Sequence, residues 1–201
     1  MTWWLTSHRY LVAVAVSLGC VALGALLGEA RLLVPTASGG VPFGELPVFA
    51  VLPLLVPIVV GTALDGAERP PYVVSARRVY RYDVLFSATF VLIYAAASIL
   101  VVMVWPELTA TLPGLRNLVA FIGLQLVSGW WLPYRYQSSV PTIYVFAAAT
   151  FGRADQGGVS AWAWPLESSA TPTGFAFAVG LLAVGMMVSL HRGDRGRLRH
   201  W

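Results

Sequence analysis

The sequence predicts an all-α integral membrane protein with six transmembrane helices. Of the 201 residues, 58% are hydrophobic and only 11% are charged, and the mean hydropathy is +0.73. Soluble domains average roughly 25% charged residues, so this chain lacks the polar side chains needed to cover a water-facing surface. Apolar runs close to the ~20 residues that cross a bilayer recur along the chain. With no internal repeat and no linker, residues 1–201 are expected to form a single transmembrane domain.

The first half of the chain predicts three membrane spans, at residues 10–33, 46–64 and 84–105. Each is an apolar run close to the length that crosses a bilayer. Glycine and proline are frequent in residues 35–47, between the first two spans, and this composition is typical of turns rather than of a helix or strand. The second span carries Pro47, Pro53 and Pro57, so we expect it to bend where neighbouring helices satisfy the freed carbonyls.

The second half predicts three further spans, at residues 115–132, 138–151 and 174–190. The fifth span has only about 14 residues, which at 1.5 Å per residue is shorter than the ~30 Å hydrocarbon core. The segment that follows it, residues 152–173, is too apolar for a free loop and too broken for a span. Because it contains Trp162, Trp164 and Pro165, it predicts a re-entrant or interfacial element that the rest of the protein buries.

All 13 basic residues are arginines, and their placement predicts the orientation of the chain. With six spans, both termini lie on the same side, together with the loop at residues 65–83 and the tail at residues 191–201. Ten arginines fall on that side, and three fall on the other: Arg31, Arg116 and Arg153. Because arginine is concentrated on the cytoplasmic side of membrane proteins, we expect both termini to be cytoplasmic. The chain is then a multi-pass protein of the plasma membrane.

Several classes of function are excluded by residue types that the sequence lacks. There is no lysine, so the chain cannot form a Walker A nucleotide site or the Schiff base of a retinal or pyridoxal protein. Its three histidines lie at predicted membrane boundaries, away from the positions where a bundle holds haem or metal. No charged residue lies at the middle of a predicted span, where an ion-coupled carrier usually needs one. We therefore expect no catalytic residue, metal ligand or cofactor.

Gln125 and Ser128 are the polar positions of the fourth predicted span. Gln125 is the only strongly polar side chain deep in any predicted span. A lone amide in a membrane helix forms an interhelical hydrogen bond more often than it contacts a substrate. Both residues are candidates for an intramembrane polar site, and a packing role is favoured for Gln125.

Residues 65–83 are the longest polar interruption between the predicted spans. A short amphipathic helix is predicted after Pro70 and Pro71, because proline commonly precedes a helix start. An apolar stripe lies on one face of this helix, and another face carries Arg77, Arg78 and Arg81. The helix has two interpretations at this point: a basic helix that lies on anionic lipid headgroups, or a docking helix for a cytoplasmic protein.

The layout as a whole resembles the membrane subunits of ABC-2-type ABC transporters. The resemblance rests on six spans with cytoplasmic ends, a basic helix between spans two and three, and an apolar insert with tryptophan and proline before the last span. In that family the loop between spans two and three supplies a coupling helix, which sits in a groove of a separate ATPase subunit. The insert before the last span forms re-entrant helices on the outer side.

The resemblance implies where these elements lie in this chain. It places the coupling segment at residues 71–83, with the ATPase-docking residues Pro71, Tyr72, Arg77, Arg78, Tyr80, Arg81 and Asp83. It places the outer re-entrant element at residues 159–166, with the gate residues Trp162, Trp164 and Pro165.

Two hypotheses for function follow. The first is a permease subunit of an ATP-driven exporter, with no enzymatic activity of its own. Its expected partners are a cytoplasmic ATP-binding subunit, a second membrane subunit that is identical or related, and membrane lipid, with no nucleic acid. The alternative is a structural or assembly subunit of a larger membrane complex that transports nothing. Co-purification of a nucleotide-binding protein would distinguish the two.

Overall fold

The computed structural model of the chain describes residues 10–28, 30–35, 43–65, 79–153 and 158–195. Within these residues the protein is a bundle of helices with one two-stranded antiparallel sheet. The helices are α1 (Tyr10–Leu27), α2 (Val48–Asp65), α3 (Val79–Val104), α4 (Thr111–Ser128), α5 (Tyr134–Gln137), α6 (Ser139–Phe151) and α7 (Pro172–Arg195). A 3-10 helix, Ala161–Leu166, lies between α6 and α7, and the strands are β1 (Arg31–Pro35) and β2 (Phe43–Pro47).

Four of the described helices are long and apolar enough to cross a membrane: α1, α2, Asp83–Val104 of α3, and Pro172–His191 of α7. This agrees with the predicted class, a helical membrane protein. The helices at the fourth and fifth predicted spans do not meet the same criterion. Helix α4 carries buried polar side chains at Arg116, Asn117 and Gln125, and α6 has only 13 residues, which is about 20 Å of helix. Membrane crossing by α4 and α6 stays a prediction.

Helix α2 is interrupted at Pro53, where one of the expected bends was placed. A single 3-10 turn, Leu52–Leu54, replaces the α-helical pattern there. Neighbouring helices satisfy carbonyls in this region, as expected for a proline-bearing helix. The Cys20 thiol of α1 donates to the main-chain oxygen of Leu52 (3.3 Å), and Nε2 of Gln125 in α4 donates to that of Pro57 (3.0 Å).

The segment between α1 and α2 contains a β-hairpin that the sequence analysis did not predict. The first span was expected to continue to residue 33, but α1 ends at Leu27 and β1 follows. A β-carbon on Gly28 would lie 2.7 Å from that of Ala110, so the close approach of α1 to the start of α4 requires glycine here. The prediction of turn structure for residues 35–47 is wrong at Pro35, which ends β1, and over residues 43–47, which form β2. A short apolar run suits a strand as well as a helix end.

Helix α4 is the centre of the bundle. Fifteen of its 18 residues are buried, and it packs against α1, α2, α3, α6 and α7. Helix α7 crosses it in backbone contact at two glycines. A β-carbon on Gly123 would lie 2.7 Å from backbone atoms of Leu181 and Leu182, and one on Gly185 would lie 2.9 Å from the β-carbon of Leu126. Small residues permit such approaches between membrane helices.

Contacts between helix termini define two ends of the bundle. The hairpin end carries the β-hairpin, the start of α4 and the end of α6, and there Nη2 of Arg153 donates to the main-chain oxygen of Glu45 (2.6 Å). The loop end carries the end of α2, the start of α3 and α5, and there the hydroxyl of Tyr134 donates to Asp83 (2.6 Å). Successive long helices therefore run in opposite directions, as six spans would require. The side of the membrane on which each end lies stays a prediction.

Candidate functional site

Arg116 is one of the largest fully buried side chains in the described residues, with 1% of its surface exposed. It lies in the second turn of α4, at the hairpin end. Its guanidinium donates to three main-chain oxygens, those of Trp164 (2.8 Å), Glu167 (2.7 Å) and Ser169 (2.8 Å). It also donates to the side-chain oxygen of Asn117. The buried positive charge is therefore surrounded by carbonyl oxygens.

These carbonyls belong to the end of the 3-10 helix and the residues that follow it. The last carbonyls of a helix lack partners within the helix and carry the negative end of its dipole, so a cation is favourable there. The adjacent Asn117 adds a bond from its Nδ2 to the main-chain oxygen of Pro165 (2.9 Å). The two side chains thus hold the 3-10 helix against α4. We call Arg116, Asn117 and residues 164–169 the arginine cluster.

Trp164 connects the arginine cluster to the aromatic core. Its ring centre lies 6.1, 5.9 and 5.8 Å from those of Phe121, Tyr144 and Phe177. The guanidinium carbon of Arg116 lies 5.9 Å from the same ring. Phe121 is about ten residues beyond the start of α4, or about 15 Å along the helix. The Trp164 ring therefore reaches the middle of the bundle.

The other two residues of the predicted gate lie on the same 3-10 helix. Pro165 is buried, and its carbonyl accepts the bond from Asn117. Trp162 is 46% exposed, and its main-chain oxygen accepts a hydrogen bond from the hydroxyl of Tyr144 in α6. The structure therefore brings the three predicted residues together and gives the Trp164 side chain, but not that of Trp162, extensive contacts inside the bundle.

A second polar cluster lies at the loop end. The hydroxyl of Tyr134 donates to Oδ2 of Asp83, and both side chains are buried. The bond joins the beginning of α3 to α5, the short helix between α4 and α6. The hydroxyl of Ser128, the last residue of α4, lies within hydrogen-bonding distance of the main-chain oxygens of Gln125 (2.7 Å) and Gln137 (3.2 Å). We call these five residues the loop-end cluster.

Gln125 forms an interhelical hydrogen bond, as expected for a lone amide side chain in an apolar span. Its Nε2 donates to Pro57 of α2, and a β-carbon on Gly61 would lie 3.0 Å from the same nitrogen. Its Oε1 is buried and has no hydrogen-bond partner within the described part of the chain. The amide therefore ties α4 to the irregular helix α2. Ser128 is likewise buried and bonded to main-chain atoms at the loop end.

The predicted ATPase-docking residues are only partly within the described residues. Pro71, Tyr72, Arg77 and Arg78 lie outside them, and Tyr80 and Arg81 belong to the first turn of α3. Helix α3 therefore begins inside the segment that was predicted to be a loop. Asp83 is 4% exposed and accepts from Tyr134, so its carboxylate faces the bundle rather than a docking surface. Its position one turn into a membrane helix accounts for this burial.

The predicted site residues do not include Arg116 and Asn117, whose side chains bond the 3-10 helix to α4. Arg116 was counted only as a charge for orientation, and Asn117 was not considered. An arginine followed by an asparagine inside an apolar run has a high free energy in a bilayer unless both side chains are hydrogen-bonded. This pattern was the sequence feature that could have predicted a buried polar cluster. Tyr134 and Tyr136 both precede the fifth predicted span, and nothing in the sequence distinguishes the buried tyrosine from the exposed one.

Replacing Tyr134 with phenylalanine tests the bond in the loop-end cluster. The substitution keeps the ring but removes a donor from a buried carboxyl group, and leaving a buried acceptor without its donor costs ~1–3 kcal/mol. We expect the purified Tyr134→Phe protein in detergent to be less stable by about that amount. Tyr136→Phe is the matched control, because Tyr136 is 49% exposed and its loss of a hydroxyl should change little. Equal stability of the two variants would show that the bond does not hold α3 to α5.

Metal and family comparisons add no further assignment. In the ranges that the structure describes, no group of three or more His, Cys, Asp or Glu side chains is placed to hold a metal ion. Comparison of the chain with protein-family models, with curated proteins and with solved structures finds no match.

Proposed function

We propose that this chain is the membrane permease subunit of an ATP-driven exporter, to which a separate cytoplasmic ATPase subunit docks through residues 65–83. The observation that carries the proposal is the hydrogen bond between Tyr134 and Asp83. Asp83 lies one turn into α3, at the end of the docking segment, and Tyr134 lies in the connection between α4 and α6. A force applied to the docking segment therefore has a direct route into the bundle.

The route continues from α5 to the central helix. Tyr134 begins α5 and Gln137 ends it, and the main-chain oxygen of Gln137 lies within hydrogen-bonding distance of the Ser128 hydroxyl at the end of α4. Helix α4 is in turn in backbone contact with α7 at Gly123 and Gly185. Because closely packed helices move as units rather than bending independently, displacement of the start of α3 would shift α4 and α7 together.

The 3-10 helix at the hairpin end would move with α4 during this displacement. Arg116 and Asn117 hold the 3-10 helix to α4 through main-chain oxygens, so that helix follows α4 closely. We propose that Ala161–Leu166 is the outer re-entrant element and that Trp164 is its inward-facing gate residue. Its ring contacts with α4, α6 and α7 support this assignment.

The core of the bundle is apolar and aromatic, and this suits an amphipathic or lipid-like cargo better than an ion. A single small bundle whose central helix is buried on all sides offers no wide path of its own. The proposal therefore places the path between this chain and a second membrane subunit, identical or related, within the plasma membrane.

A pull-down in mild detergent, followed by mass spectrometry, tests the proposal. We expect the tagged chain to bring a P-loop ATPase with it, and we expect reversal of Arg77, Arg78 and Arg81 to glutamate to abolish that association. The matched control reverses Arg195, Arg197 and Arg199 to glutamate. These arginines belong to the basic tail, which is also predicted to be cytoplasmic, so the change in charge is the same. Retention of the ATPase by the loop variant would place the docking site elsewhere. Absence of any nucleotide-binding protein would overturn the proposal.

A structural or assembly subunit is the second candidate, and the arginine cluster favours it. The Arg116 guanidinium is fully buried and bonded to the chain's own carbonyls, which is the arrangement of a rigid support. On this hypothesis the exposed faces of α1 and α7 pack against other membrane proteins. The same pull-down separates the two candidates, because an assembly subunit would bring membrane partners and no ATPase.

A further inference from the structure

Within the described residues, strand β1 has an open edge at the hairpin end. Four of its five residues are exposed, and among the described residues its only strand partner is β2. The opposite edge of the hairpin is covered, because Arg153 donates to the main-chain oxygen of Glu45 in β2. Helix α1, which leads into β1, has 28% of its residues buried. Helix α2, which follows β2, has 56% of its residues buried. The open edge therefore lies on the less covered side of the bundle.

The register determines which backbone groups this edge presents. In an antiparallel pair, hydrogen-bonded and non-hydrogen-bonded residue pairs alternate. Ala30 and Val48 are the residue pair next to Arg31 and Pro47 in the register. The amide of Val48 donates to the main-chain oxygen of Ala30 (3.0 Å), so this is a hydrogen-bonded pair. By alternation Leu33 and Glu45 form a non-hydrogen-bonded pair, so their N–H and C=O groups point away from each other. The bond that Glu45 receives from Arg153 agrees with this.

The outward groups of β1 are those of Arg31, Leu33 and Pro35, and they match a second copy of the same strand. In an antiparallel pairing centred on Leu33, each Leu33 exchanges both of its bonds with its counterpart. Each Arg31 N–H donates to the carbonyl of the opposite Pro35. Proline has no backbone N–H, so this residue pair forms one hydrogen bond rather than two. This gives about four hydrogen bonds between the strands.

The side chains fit the same pairing. Leu33 is 73% exposed, and two-fold pairing would place the two copies side by side. Arg31 already forms an ion pair with Glu45 of its own chain. The pairing therefore does not bring unpaired charges of the same sign together. Val34, on the other face of the strand, packs against the core, and the pairing leaves this contact in place.

We propose that two copies of this chain associate through antiparallel pairing of their β1 strands, forming a four-stranded sheet at the hairpin end. This pairing rests on the proposed function, with a second membrane subunit identical to the first. It identifies the surface through which the two copies contact each other. The occupant is a second copy because the edge is self-complementary about Leu33. A β-strand of a different protein, or lipid headgroups, are the occupants that the test would reveal instead.

Cysteine cross-linking in isolated membranes tests this pairing. Directly opposed residues in a hydrogen-bonded antiparallel pair have Cα atoms ~5.5 Å apart, which suits a disulfide. We expect mild oxidation of Leu33→Cys to give at least about five-fold more covalent dimer than Leu32→Cys, whose copies would lie roughly 8 Å apart. The wild-type chain is the blank, because its only cysteine, Cys20, is buried in α1. Neither position is in the core, so both variants should fold.

A mixed experiment fixes the register. Co-expressed Leu32→Cys and Val34→Cys chains with different tags should form a mixed disulfide, since these residues would lie opposite each other. Equal dimer from Leu33→Cys and Leu32→Cys, or no dimer from either, would overturn the pairing. A negative result together with a co-purifying ATPase would leave the permease proposal standing with its second membrane subunit bound elsewhere. A positive result without an ATPase would favour a dimeric assembly subunit.

Discussion

Replacing Arg116 with methionine is expected to destabilise the protein severely. The substitution keeps much of the side-chain volume but removes the charged donor that bonds the main-chain oxygens of Trp164, Glu167 and Ser169. Hydrogen bonds to charged groups contribute ~1.5–3 kcal/mol each, and we expect a total loss of about 3–5 kcal/mol after partial relaxation of the site. We expect a clear drop in the thermal midpoint of the purified protein in detergent, with aggregation on mild heating.

Arg135→Met is the matched control for this prediction. Arg135 is an exposed arginine that stacks on Tyr136, with its guanidinium carbon 4.5 Å from the ring centre. Exposed substitutions of this kind change stability by about 0.5 kcal/mol or less. Arg116→Lys should be intermediate, because an ammonium group cannot reproduce the planar fork of donors. If Arg116→Met and Arg135→Met unfold at the same temperature, the arginine cluster does not stabilise the fold.

Replacing Gly123 with valine should separate α4 from α7. The added side chain would meet the backbone of Leu181 and Leu182 rather than a flexible side-chain end, so the helices must move apart. Overpacking in well-packed cores costs ~1–3 kcal/mol, and backbone contact places this site at or above the upper end. The expected result is a low yield of monodisperse protein and a lower thermal midpoint of the protein that is recovered.

The control for this prediction is Gly180→Val in α7. Gly180 has open space where its β-carbon would lie, so the same chemical change meets no neighbour there. Its yield and thermal midpoint should match those of the wild type. A Gly123→Val protein that behaves like the Gly180 variant would contradict the backbone contact between α4 and α7.

Hydropathy and turn composition predicted helices near all six described positions, because long apolar runs in a chain with so little charge have few alternatives to helix. The ends of those helices were less predictable. The run after Gly28 is apolar and was assigned to the first span, whereas the hairpin register pairs it with residues 43–47. Strand pairing is a long-range property, and a composition of glycine, proline and valine does not reveal it.

Burial of the polar residues could not be predicted for a similar reason. Arg116 is tolerated inside the bundle because the carbonyls of a segment some fifty residues later converge on it. The position of Asp83 likewise depends on Tyr134, which lies 51 residues away. The apolar pattern shows that such groups are costly, but only the fold shows which partners compensate for that cost.

The most direct test of the central claim measures ATP turnover in the complex. The tagged chain and its co-purifying ATPase would be reconstituted in lipid nanodiscs, with wild-type, Tyr134→Phe and Tyr136→Phe chains compared at equal ATPase content. We predict that Tyr134→Phe binds the ATPase normally but lowers its turnover, because the hydrogen bond that joins the docking segment to α5 is lost, while Tyr136→Phe leaves turnover unchanged. Failure to recover any ATPase with the wild-type chain, or equal turnover in all three complexes, would contradict the account.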